Sequence, residues 1–257
     1  MELYTIMRIT IIGSGVAMPS LRRRSPGLVI DTGSERLLFD CGPDILRGLL
    51  AAGYRHQEID RILVTHFHPD HTLGLAHFIF ASWYDLEPRR REILIGGPEG
   101  LSDLLKGFYS IYPGWLEGKD YRVLVHEITG NEWFGKGWKV RTGPVRHNPE
   151  SIAYRLEDKN GKVVVYTGDT GYCESLVELA RGADLLISEC SFPNAVDLPT
   201  HLNPSKVGRI ARQAGVNKVL LTHLYPPCDE IDIVEECGKE FKGEVIKSED
   251  GMMIEIN

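Results

Sequence analysis

Three imidazoles and a carboxylate fall within six positions of this chain. They lie in the run Thr65-His66-Phe67-His68-Pro69-Asp70-His71, directly after the apolar stretch Ile59 to Val64. Histidine and aspartate are ligand types that suit zinc, iron and manganese. Packing offers no reason to crowd polar rings together, because burying polar groups without partners is costly. The run therefore demands a fold in which a strand ends at a polar cleft, and it makes a metal-dependent enzyme the leading expectation.

His66 and His68 are two apart, so extended backbone points them the same way. Asp70 and His71 follow Pro69, which helps set a turn that sends them elsewhere. Three more polar residues follow predicted strands: His147, Asp169 in Thr167-Gly168-Asp169-Thr170, and His223 after Thr222. Loops at one end of a sheet converge on shared clefts. A catalytic zinc usually takes three protein ligands and a water. The seven candidates His66, His68, Asp70, His71, His147, Asp169 and His223 overfill one ion and suit two, with one carboxylate bridging.

At 257 residues, 42% hydrophobic and 25% charged, the chain can bury a core without metal or disulfide staples, so bound metal is expected to be catalytic. It is read as a single domain over 1–257. A net charge of −7 argues against broad, non-specific nucleic-acid binding. The basic runs Arg22–Arg24 and Arg89–Arg91 read as two solvated loops. Five cysteines without C-x-x-C spacing read as free thiols in a reducing compartment. The opening residues Met1 to Ile6 carry an acid and predict no signal peptide. No apolar run approaches the roughly 20 residues of a membrane span. The expected location is cytoplasmic.

Strand and helix patterns alternate. Strands are predicted at 7–12, 27–30, 36–39, 59–64, 93–95, 121–127, 138–142, 152–156, 163–167, 184–188, 219–222, 244–246 and 252–256. Helices are predicted at 43–50, 77–83, 98–109, 175–181, 204–214 and 231–241. Such alternation predicts sheets covered by helices.

The ordered set T-H-x-H-x-D-H, a lone His, T-G-D-T and T-H resembles the metallo-β-lactamase superfamily from about Met7 to the end. The resemblance implies an α/β, four-layer αββα sandwich. It places His66, His68 and His147 on one divalent ion and Asp70, His71 and His223 on the other, with Asp169 bridging; the ions are expected to be zinc, with manganese or iron as alternatives. Within the superfamily, Gly13-Ser14-Gly15-Val16-Ala17-Met18-Pro19, Leu38-Phe39-Asp40-Cys41-Gly42 and Ser188-Glu189-Cys190-Ser191-Phe192 resemble the ribonuclease Z-like phosphodiesterases. Two departures stand out. Only 22 positions separate His147 from Asp169, too few for the tRNA-clamping arm of ribonuclease Z, and His201 is followed by Leu202-Asn203-Pro204 rather than Ser/Thr-x-Ala.

The resemblance implies a phosphodiesterase acting on a small phosphodiester or RNA through a metal-bridging hydroxide. Asp70 would serve metal and nucleophile, and His201, steadied by Glu189, would donate a proton. Alternatives are tRNA 3′-processing, a carbonyl hydrolase of lactonase, thioesterase or β-lactamase type, and a redox or non-enzymatic protein on the same scaffold. A homodimer is expected from relatives. Asp40 reads first as a cap for the helix from Pro43 and second as a partner to a ligand histidine. Glu189 could instead cap a helix. Gly13-Ser14-Gly15 reads as a tight turn rather than a phosphate cradle. Trp83, Tyr84, Tyr109, Tyr112 and Trp115 read mostly as packing, with one or two flanking a substrate groove. His56, His77 and His126 read as ordinary residues.

Overall fold

The computed structural model describes residues 6–117, 121–128, 130 and 132–256. Met1 to Thr5, on which most of the signal-peptide expectation rests, lie outside them. The strands β1 (Met7–Gly13), β2 (Gly27–Asp31), β3 (Arg36–Phe39), β4 (Arg61–Leu63), β5 (Ile93–Gly97) and β6 (Val123–Glu127) form one sheet in chain order. A second sheet runs through β7 (Trp133–Gly135), β8 (Trp138–Pro144), β9 (Ile152–Asp158), β10 (Val163–Tyr166), β11 (Leu185–Glu189), β12 (Lys218–Thr222) and β13 (Glu244–Lys247). The last strand, β14 (Met253–Ile256), returns to pair with β1. Each sheet begins with antiparallel neighbours and ends in parallel ones, β3 to β6 and β10 to β13.

The parallel connections are crossovers, and these carry helices on the outer faces. α1 (Ile45–Ala51), α2 (Pro69–Thr72), α3 (Gly74–Tyr84) and α4 (Leu101–Ile111) accompany the first sheet. α5 (Glu174–Ala180), α6 (Pro204–Ala214) and α7 (Ile233–Gly238) accompany the second. One apolar core lies between the sheets, where Ile9, Leu28, Leu37 and Phe39 meet Val140, Leu156, Val164 and Ile187. Two more lie beneath the helices, one with Leu49, Phe78 and Leu105, the other with Leu176, Ile210 and Ile233. The chain is thus the expected four-layer sandwich.

Local rules set the element bounds. α6 starts where Asn203 accepts the Lys206 amide at 3.0 Å and Pro204 occupies the first turn. It ends at Gly215, in the left-handed region. The helix predicted from Pro43 begins at Ile45, and its Asp44 makes no side-chain cap bond. The three-residue strand β7 was not expected: it is too short to show a periodic pattern. The Gly13-Ser14-Gly15 turn is spoken for, because Asp250 accepts both the amide and the hydroxyl of Ser14.

The basic runs are not simple solvated loops. Arg23 is buried and forked onto Asp229 at 2.7 and 3.0 Å. Asp229, held by Arg23 and Lys247, has its carboxyl lowered to about 2. Arg89 is 2% exposed and donates to the carbonyls of His56, Gln57, Ile59, Arg91 and Glu92. Burial, with Arg91 nearby, pulls its pKa down to about 10. This guanidinium ties the loop before β4 to the loop before β5. Arg89→Leu leaves those carbonyls without their donor and is expected to cost roughly 3 kcal/mol in chemical denaturation. A loss below about 0.5 kcal/mol, the range of an ordinary surface change, contradicts this role.

Candidate metal centre

All seven candidate ligands come together where strands of both sheets end. His66 and His68 lie on the segment leaving β4, and Asp70 and His71 lie in α2. His147 follows β8, Asp169 follows β10, and His223 follows β12 directly. α2 is zipped to the end of β3: the Cys41 amide donates to the His71 carbonyl at 2.7 Å, and the Gly74 amide donates to Cys41 at 2.9 Å. Gly42 is required there, since a Cβ would sit 2.4 Å from the Asp70 carbonyl oxygen. Gly168, with φ 55°, turns the chain so that Asp169 enters the cleft.

The ligand atoms divide into groups. One atom each from His66, His68, His147 and Asp169 lies within 4.8 Å of the others, and the same holds for Asp70, His71 and His223. Asp169 faces both. Its Oδ2 lies 3.8 Å from His66 Nε2 and 3.9 Å from His147 Nε2, while its Oδ1 lies 3.3 Å from His71 Nε2 and 3.2 Å from His223 Nε2. Asp70 Oδ2 lies 3.6 Å from His71 Nε2 and 3.8 Å from His223 Nε2.

Several of these atoms lack hydrogen bonds. His66 Nε2, His71 Nε2, His223 Nε2 and Asp169 Oδ1 are buried polar atoms with no hydrogen-bond partner. Such orphans cost free energy unless something else binds them. A divalent cation fits, because every orphan is an imidazole nitrogen or a carboxylate oxygen. The other nitrogens of these rings are engaged. His71 Nδ1 meets Asp40 at 2.8 Å, His66 Nδ1 meets Thr65 Oγ1 at 3.0 Å, His147 Nδ1 meets the Thr200 carbonyl at 3.1 Å, and His223 Nδ1 meets Ser191 Oγ at 3.0 Å. These contacts favour tautomers that leave Nε2 for a ligand bond.

Burial, with neighbouring imidazoles, pushes His66 far below the ordinary imidazole range. Burial opposes charge on His71 too, but Asp169 and Asp40 hold it well above that range. Asp169 is buried, yet His223 and His71 keep its carboxyl well below the usual carboxylate value. Among the described residues, the ion-pair contacts of Asp70 and Asp169 are with histidines only.

Asp40 does not cap a helix. It is fully buried with φ 57°, and accepts the Thr65 amide at 2.8 Å, the Thr65 hydroxyl at 3.0 Å and the Tyr166 hydroxyl at 2.8 Å, besides its contact to His71. Glu189 is not a cap either. Its Oε1 lies 2.9 Å from His201 Nδ1, and its Oε2 accepts the Ser191 hydroxyl at 2.6 Å. Burial opposes the charged form of His201, but the bond to Glu189 raises its pKa above the ordinary value. The His201 ring lies 5.1 Å from His147 and 6.1 Å from His223.

Of the five aromatics expected mostly to pack, Trp83 and Tyr109 do pack against the core beneath the helices, and the other three do not. Tyr84, Tyr112 and Trp115 are exposed; Tyr112 and Trp115 line a groove between α3 and α4 with Phe80, and Tyr84 stacks on Phe80 at 4.4 Å. The ring contacts of Tyr84 and Trp115 are with each other, Phe80 and Trp83, not with the histidine cluster. His77 is exposed along the same groove. The rings beside the centre are Phe192, 6.1 Å from His201, and Tyr225, 6.3 Å from His223, stacked on each other at 4.5 Å. Their places next to Ser191 and two residues after His223 were the signal available in the sequence.

A family model described as the beta-lactamase superfamily domain matches residues 35–224, a span that contains every residue of this cluster. The chain belongs to the beta-lactamase superfamily. It is similar to Rv1339, an uncharacterized protein of Mycobacterium tuberculosis, at 32% identity over 246 residues, 93% of this chain and 88% of that protein. Ribonuclease Z of Archaeoglobus fulgidus is 27% identical over 308 aligned positions, covering 98% of each chain. Among solved structures, the metallo-beta-lactamase fold protein YhfI from Bacillus subtilis has a TM-score of 0.82 at 26% identity, covering 98% of this chain and 100% of that one. The short form of human tRNase Z shares the fold, with a TM-score of 0.79 at 23% identity over 98% and 100% of the two chains.

The alignment with the Archaeoglobus protein is longer than the 257 residues of this superfamily member, so that relative carries insertions absent here. Between His147 and Asp169 the structure has only a turn and the β9–β10 hairpin. Within the cluster, Asp40→Asn replaces an acceptor oxygen with a donor facing Thr65, His71 or Tyr166. The variant is expected to bind zinc about 10–100-fold more weakly by chelator competition. Unchanged affinity contradicts the orienting role of Asp40.

Proposed function

We propose that this protein is a dinuclear metal-dependent hydrolase, specifically a phosphodiesterase, working as a single catalytic domain over residues 1–257. The observation that carries the reading is the division of the cluster about Asp169, one oxygen toward His66 and His147 and the other toward His71 and His223. His66, His68 and His147 would hold one ion, Asp70, His71 and His223 the other, with Asp169 between them. Zinc suits this donor set best, and manganese or iron also fit it. When bound, such a pair lowers the pKa of water and neutralises charge on a phosphoryl group.

The remaining chemistry falls to the chain itself. His201 presents Nε2 while Glu189 holds Nδ1, the arrangement of a proton donor to a leaving oxygen. Asp70, on the edge of the cluster, orients the attacking water. Phe192 and Tyr225 line the approach beside His201 and His223. A phosphodiester is favoured over a carbonyl substrate by the similarity to ribonuclease Z, and by the fold shared with a diphosphatase of the PhnP family at 22% identity and a TM-score of 0.74.

Small phosphodiesters are favoured over precursor tRNA, because the short His147–Asp169 segment has no protruding arm. Homodimerisation, expected from the resemblance, belongs to the same proposal. So does a cytoplasmic location, supported by five free cysteines. Among the described residues no helix is long and apolar enough to cross a membrane.

His201→Ala is expected to retain metal and lose about 10²–10⁴ in kcat on an alkyl phosphodiester, with a smaller loss on a nitrophenyl ester whose leaving group needs no proton. Because the donor must be protonated, and its pKa is raised, wild-type kcat should be full at lower pH and fall as pH rises through that value. The variant should lose this alkaline limb. Equal losses on both esters, or an unchanged pH profile, contradict the assignment.

A further inference from the structure

His68 turns Nδ1 toward the cluster, 3.2 Å from His147 Nε2. Its far nitrogen, Nε2, lies 3.1 Å from Asn148 Nδ2, one of the two ends of that side-chain amide. His68 is half-buried, whereas His66 and His71 are sealed, so enclosure alone holds its ring less firmly.

Asn148 is itself anchored through its backbone. Its amide donates to Ser151 Oγ at 3.0 Å, and its carbonyl accepts the Ser151 amide at 3.1 Å. Pro149 follows and restricts Asn148 toward extended conformations. These restraints do not involve the Asn148 side chain, so the amide is carried to its place by the turn.

A neutral imidazole that gives its Nδ1 lone pair to a cation carries its proton on Nε2. That Nε2–H needs an acceptor, and turning the Asn148 amide over puts Oδ1 in the place Nδ2 holds. The two ends of an asparagine amide are nearly isosteric, and the hydrogen-bond partner decides which one faces a neighbour. An Nε2–H donor selects Oδ1.

We propose that Asn148 is a positioning residue for the metal centre, accepting the Nε2 proton of His68 and thereby fixing the tautomer and ring angle that present Nδ1 beside His66 and His147. It does for His68 what Thr65, Asp40, Thr200 and Ser191 do for the other four rings. The proposal rests on the two-metal reading above.

The test is zinc titration of metal-stripped protein against a chromophoric chelator, with thermal unfolding of the stripped forms as a control for folding. Asn148→Leu keeps the size and removes the acceptor. It should weaken one of two zinc ions by about 10–100-fold without changing the stripped protein's melting temperature. Asn148→Asp restores an acceptor and should bind within a few-fold of wild type. His66→Ala should weaken the same ion. Wild-type affinity in Asn148→Leu overturns the proposal, as does an Asn148→Asp defect equal to that of Leu, which would assign the effect to packing. A wild-type chain that takes up no zinc defeats the two-metal reading itself, whereas two tight ions in both wild type and Asn148→Leu defeat the Asn148 assignment alone.

Discussion

The Asp40 carboxylate is sealed between the two sheets, where an ionised group survives only if donors replace the water it has lost. Thr65 supplies an amide and a hydroxyl, Tyr166 a hydroxyl, and His71 a ring nitrogen. Asp40 directly follows β3 and Tyr166 ends β10, so this one group binds the sheets together at the rim where the cleft opens. Its positive φ is a strained backbone for an aspartate. The only other non-glycine residue with positive φ among those described is His223, on the opposite side of the same cluster. Strain is concentrated where ligands are aimed, and the surrounding hydrogen bonds hold it in place.

A second buried carboxylate repeats the arrangement. Asp40 meets His71 directly and His66 through the Thr65 hydroxyl; Glu189 meets His201 directly and His223 through the Ser191 hydroxyl. Glu189 also accepts the amides of Thr170, Ser191 and Leu202, which ties it to the loops after β10 and before α6. The orientations of His66, His71, His201 and His223 thus descend from two carboxylates, one rooted beside a strand end in each sheet. Neither carboxylate needs to touch a substrate to govern the chemistry.

Much of this was legible in the sequence because the ligands follow strands whose apolar runs are themselves legible. His66 to His71 fall after such a run, and His223 directly follows another. The helix over 204–214 carries its own start and stop signals in Asn203, Pro204 and Gly215, so its bounds agree with the pattern. The role of Asp40 was legible only as the second of two readings, because its partners lie 25, 31 and 126 positions away and only folding brings them together. Arg89 misled for the same reason: a charge run looks solvated until five carbonyls from two loops are known to surround one member. Exposure of Tyr84, Tyr112 and Trp115 was hidden too, since helical spacing of aromatics says nothing of which face remains uncovered.

The central claim is that one bridging carboxylate divides a single cluster between two ions. Anomalous diffraction from crystals grown with zinc tests it most directly. The account predicts two peaks about 3.5–4 Å apart on either side of Asp169, one among His66, His68 and His147, the other among Asp70, His71 and His223. A single peak, or zinc bound elsewhere with the cluster empty, would contradict it.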